Sequence, residues 1–97
     1  MYQSKFSNPD IEQLYEAILT LETKEECHRF FEDLCTIKEI FDMAQRLKVA
    51  TMLKNKRPYT EIVTETKAST ATISRVNKSL IYGAEGYHLY FNKIDKK

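Results

Sequence analysis

The apolar positions of this chain recur at helical spacing nearly from end to end. Asn8-Pro9 opens the first pattern, because Asn caps a helix and Pro is tolerated at its first position. Ile11, Leu14, Tyr15 and Ile18 then lay one apolar stripe at i, i+3, i+4 and i+7. Thr23-Lys24-Glu25-Glu26 matches a capping box, in which the Thr and Glu side chains satisfy free backbone N–H groups. Cys27, Phe30, Phe31 and Leu34 form the next stripe. Thr36-Ile37-Lys38-Glu39 repeats the box, and Ile37, Ile40, Phe41, Ala44 and Leu47 carry a third helix to about Leu53.

Lys54-Asn55-Lys56-Arg57-Pro58 ends that run, since Pro cannot continue a helix. A short helix follows over Tyr59–Thr66, with Ile62 and Val63 facing inward. Lys67-Ala68-Ser69 is a tight connection, and Ser69 or Thr70 caps a helix over Thr70–Tyr82 that turns Ile73, Val76 and Leu80 inward. Gly83 suits a helix end. Tyr87, Tyr90, Phe91 and Ile94 make a last stripe within residues 84–94, and the Asp95-Lys96-Lys97 tail is expected to fray. The pattern predicts an all-α protein of about six short helices.

Composition narrows this further. The 97 residues bound the chain to a single domain, 1–97. Two glycines and two prolines cannot supply the turns of a β-sandwich or barrel, which come every ~8–12 residues. A 42% hydrophobic content argues against disorder. A chain this short buries only about 60–65% of its unfolded surface, so dimerisation is a natural supplement.

The formal net charge of +1 hides an asymmetry. Residues 1–35 carry three basic and eight acidic side chains, net −5. Residues 36–97 carry twelve and six, net +6. An acidic half joined to a basic half points to a polyanion partner for the second half, although surface scatter reads the same way.

No apolar run approaches the roughly 18 residues of a membrane span. The start, Met1-Tyr2-Gln3-Ser4-Lys5, lacks the basic and apolar regions of a secretory signal. Cys27 and Cys35, on one helix, would lie roughly 12 Å apart, too far for a disulfide. They read as reduced, core-facing thiols of a cytoplasmic protein. Cys27-His28 is one adjacent pair and His88 is distant, so no metal site is expected. Neither histidine completes a nucleophile–base–orienter set, so no catalytic residue and no enzyme are expected.

The helices Tyr59–Thr66 and Thr70–Tyr82, with their three-residue connection, are a candidate helix-turn-helix. In that motif the first helix lies across the DNA backbone and the second enters the major groove. The hydroxyls of Thr70, Thr72 and Ser74 can bond to bases, phosphates or waters. Ala71 allows close approach, and the N–H groups at Ser69–Ala71 suit a phosphate. Arg75 and Lys78 project from the same helix, while Lys54, Lys56, Arg57, Thr60 and Lys67 surround it. Ser and Thr before an apolar stripe are equally a capping sequence, and the cations of residues 54–57 equally complement a helix dipole. Lys67 sits where many such turns place Gly.

The segment Ala71-Thr72-Ile73-Ser74-Arg75-Val76-Asn77-Lys78-Ser79-Leu80 resembles the recognition helix of the Trp repressor. So does Leu34-Cys35-Thr36 followed by Gln45-Arg46-Leu47-Lys48-Val49. The chain is similar over roughly residues 10–92 to the Trp repressor superfamily, in its YerC/YecD branch. The resemblance implies an interlocked homodimer on double-stranded DNA, most often as a repressor on a pseudo-palindromic site. It assigns residues 8–53 to a dimerisation platform and 58–82 to the reading head. It also implies a small-molecule corepressor site, placing Thr36 and Arg46 on the platform and Arg75, Val76 and Ser79 on the head. Arg suits a ligand carboxylate. Val76 stands where the repressor has Gly against the indole ring, which argues against tryptophan in the same pose. Another small ligand, or none, stays open. The rival reading is a helical protein-interaction module that keeps the fold without reading DNA.

Overall fold

The computed structural model describes residues 2–95. Met1, Lys96 and Lys97 lie outside it, and so does the expected fraying of the last two residues. Six helices follow one another: α1 (Pro9–Ile18), α2 (Lys24–Leu34), α3 (Ile37–Lys54), α4 (Tyr59–Thr66), α5 (Thr70–Tyr82) and α6 (Gly86–Asp95). They form two compact units, the first ending at Thr36 and the second starting at Ile37.

In the first unit the caps act as the sequence predicts. Asn8 Oδ1 accepts from the Ile11 N–H at 2.9 Å, with Pro9 at the first helical position. Thr23 Oγ1 accepts from the Glu26 N–H at 3.1 Å. Glu26 reaches back one residue further than the box requires, to the Glu22 N–H at 3.0 Å. The core expected of these stripes is absent, however. Among the described residues of this unit none is buried. Tyr15, Leu19 and Leu34 are exposed, and Cys27 is exposed rather than core-facing. The reason is geometric: two short helices cannot cover each other's apolar faces on every side. Phe30 and Phe31 meet edge to face at 5.6 Å between centroids, and both stay half-buried.

The second unit has a true core. Val49, Ala50 and Met52 of α3 pack with Ile62, Ala68, Ile73, Val76 and Phe91. Leu53, Leu80 and Tyr87 close over its edge. Leu80 is therefore half-buried, and Val63 is exposed rather than inward. Ile62 and Thr66, one turn apart, take the core-facing side of α4, which leaves Val63 on its shoulder. The first half of α3 exposes Ile37 and Phe41 as well.

Two helix ends in this unit use left-handed lysines. Lys56 (φ 59°) ends α3, where its N–H donates to Leu53 O and the Arg57 N–H donates to Met52 O. Lys67 (φ 62°) ends α4, its N–H donating to Val63 O at 2.9 Å. A side chain in this region clashes with its own backbone, a strain glycine lacks. Lys67→Gly is therefore expected to raise stability by about 0.5–1 kcal/mol, read as a higher midpoint in thermal unfolding. An unchanged or lower midpoint would show that the lysine side chain makes up for its backbone. Gly83 has a different reason to be glycine. Its φ of −84° is ordinary, but a Cβ there would meet the Ser79 carbonyl oxygen at 2.4 Å.

Candidate nucleic-acid interface

The turn between α4 and α5 is held by small polar groups. Thr66 Oγ1 donates to Ile62 O at 2.7 Å and accepts from the Ala68 N–H at 3.1 Å. Gln45 Nε2 on α3 donates to Thr66 O at 2.9 Å, which ties the end of α4 to the long helix. Ala68 is buried beneath this turn. Sequence reasoning gave neither Gln45 nor Thr66 a role, because nothing local marks a polar side chain that will meet a carbonyl 21 residues away.

Ser69 is the cap of α5. Its Oγ accepts from the Thr72 N–H at 3.1 Å and also contacts Thr72 Oγ1 at 3.1 Å. Thr72 is thereby half-buried and engaged, whereas Ser69, Thr70, Ala71, Ser74 and Lys78 are exposed. The first turn of α5 holds no acidic residue. Acidic side chains are the usual complement to a helix N-terminus. Their absence leaves the dipole, and the N–H groups ahead of the capped Thr72, available to an anion. Thr60 lies on the exposed side of α4.

The cations of residues 54–57 separate into two kinds. Lys56 is exposed and, among the described residues, makes no ion pair, as is also true of Lys67 and Lys78. Lys54 and Arg57 are occupied. Lys54 Nζ bonds Asp95 at 2.7 Å and lies 4.9 Å above the Phe91 ring, which fastens α6 to the end of α3. Arg57 bonds Glu65 at 2.5 Å and Glu61 at 3.2 Å, both on α4. Its hydrogen bonds to Glu65, then Glu61, raise the pKa of the guanidinium further above its ordinary value.

The candidate ligand residues are spread over both units. Thr36 ends the first. In the second, Arg46 is half-buried and Arg75 exposed, and among the described residues neither makes an ion pair, with Glu39, Asp42 or any other carboxylate. Asp42 pairs with Lys38 instead, at 2.8 Å. Val76 is 2% exposed and belongs to the core. Ser79 lines a cleft of about 370 Å³ with Leu47, Ala84, Gly86, Tyr87 and Tyr90. His88, which had no assigned role, places Nε2 2.7 Å from Leu80 O and so joins α6 to α5.

Comparison with known proteins follows this architecture closely. The family model described as Trp repressor protein matches residues 9–95. YerC of Bacillus subtilis, an uncharacterized protein, is 49% identical over 94 residues, covering 97% of this chain and 90% of its own. A crystal structure of a proposed Trp repressor from Staphylococcus aureus superposes with a TM-score of 0.88 at 45% identity, covering 94% of this chain and 91% of that one. A TrpR-like protein from Eubacterium eligens superposes with the same TM-score at 50% identity, covering 91% of each chain. No described helix is long and apolar enough to cross a membrane. Six helices, a capped helix-turn-helix within them and a family match across nearly their whole span make this chain a member of the Trp repressor family.

Proposed function

We propose that this protein is a sequence-specific, double-stranded-DNA-binding transcription regulator, a homodimeric repressor that occludes a pseudo-palindromic site. The observation that carries the reading is the N-terminal edge of α5. It is exposed from Ser69 to Ala71 and at Ser74, free of carboxylates in its first turn, and accompanied by Lys56, Lys67 and Lys78, which make no ion pair among the described residues. Membership of the Trp repressor family supports it. A second copy supplies what the first unit lacks. Tyr15, Leu19 and Leu34 there are 55%, 83% and 52% exposed, and apolar surface of this kind marks an interaction site.

The proposal includes a small anionic effector other than tryptophan. Arg46 and Arg75 carry charges that no carboxylate of the described residues neutralises. Val76 is packed into the core, 2% exposed, where the resemblance to the Trp repressor implies a Gly beneath the indole ring.

Selection of duplex DNA from a random pool, at low and physiological salt, tests the reading. The expected result is an enriched palindrome with half-sites about one helical turn apart, roughly 34–36 Å. Affinity should fall steeply with salt through counterion release. Absence of duplex binding at both salts would overturn the proposal and favour a helical protein-interaction module.

A further inference from the structure

We infer that Arg57 is an internal counterion of the reading head, a positioning residue that makes α4 tolerable to a polyanion without touching the phosphates itself. The inference rests on the DNA-binding reading above and concerns how the head meets the duplex. The first helix of a helix-turn-helix lies across the DNA backbone. Here that helix carries Glu61 and Glu65, one turn apart on one flank. Two bare carboxylates on such a helix would repel phosphates. Arg57, just ahead of the helix, bonds both: Nε to Glu61 at 3.2 Å and an outer nitrogen to Glu65 at 2.5 Å. The guanidinium presents donors on separate nitrogens, which lets it bond both carboxylates at once.

A phosphate could meet only the guanidinium N–H groups that Glu61 and Glu65 do not engage, and it would then lie beside both carboxylates. The arrangement therefore favours Arg57 staying where it is. The cations left for the duplex are those with no ion pair among the described residues, such as Lys56, Lys67 and Lys78. The two roles have different signatures in salt. A cation that meets a phosphate releases counterions and contributes to the slope of log affinity against log salt. A cation that neutralises its own protein changes affinity and leaves the slope alone.

The test uses the full chain and a duplex taken from the selection, titrated at several salt concentrations by fluorescence anisotropy. Arg57→Ala is expected to weaken binding on the order of five- to ten-fold at low salt, with the slope unchanged. Adding Glu61→Gln and Glu65→Gln to it should restore affinity to the wild-type value or above. Lys56→Ala, in contrast, should flatten the slope by about one unit per reading head. Glu61→Gln/Glu65→Gln with Arg57 intact should bind more tightly than wild type, and this variant keeps the test open if Arg57→Ala unfolds. A flattened slope in Arg57→Ala, with the triple variant still weak, would show a phosphate contact and overturn the inference while leaving DNA binding standing. An Arg57→Ala variant that binds like wild type would overturn it too. A wild-type chain that binds no duplex would remove the DNA reading and this inference together.

Discussion

Phe91→Ala is expected to destabilise the second unit by about 3–5 kcal/mol. Phe91 is 2% exposed, among the largest fully buried side chains, and the residue that α6 contributes to the core. Its ring also packs beside Tyr90, at 5.5 Å between centroids, and beneath the Lys54 ammonium. Truncation removes the transfer free energy of the ring and leaves a cavity that the few remaining core residues cannot collapse to fill. A domain of this size has only roughly 5–15 kcal/mol of stability in total, so the loss is a large share of it. At fixed protein concentration the unfolding midpoint should drop by about 15 °C or more. Hydrogen exchange should show α6 opening first, because His88 to Leu80 and Asp95 to Lys54 are the polar ties it has left. A midpoint within a few degrees of wild type would mean that α6 is not part of the cooperative core.

Val76→Gly carries the second largest effect and bears on the proposed effector. Reading the sequence alone, the change simply opens a ligand slot. The structure shows that the same side chain is packed into the core, 2% exposed. Removing its three carbons at ~0.8 kcal/mol each, and placing Gly inside a helix at ~1 kcal/mol, costs about 3 kcal/mol. Thermal unfolding should show that loss directly. Calorimetry with tryptophan, run well below the lowered midpoint, then separates the roles. Heat on the variant and none on wild type is the outcome expected of the proposed slot, in which, as the resemblance to the Trp repressor implies, an indole would lie against position 76. Binding of tryptophan by the wild-type chain would overturn the view that Val76 closes the slot.

Helix periodicity, caps and the helix-turn-helix were all legible in the chain, because each depends on residues within a turn or two of one another. Asn8, Thr23 and Ser69 cap as their types predict. The bounds of α4 and α5 follow from Pro58 and Gly83. The candidate reading edge was legible for the same reason, as a run of small hydroxylic residues at one helix start. The partition of the cations was not. Lys54, Lys56 and Arg57 are equivalent in sequence, but Lys54 finds Asp95, 41 residues on, and Arg57 finds Glu65 in the next helix, while Lys56 finds no acid among the described residues.

The sequence by itself determined where helices begin and end, that their faces are amphipathic and that the charge divides near residue 35, since those are properties of local spacing. Only the tertiary structure decided which apolar stripes are buried. The α1 and α2 faces stay open because two short helices offer too little surface to cover them. The stripes of α3 to α6 close on one another because α5 and α4 pack on the second half of α3, and Phe91 seals the cluster. The same packing decided that Val76 is core and that Arg57 is paired. Burial and pairing depend on what comes near in space, and distance along the chain does not encode that.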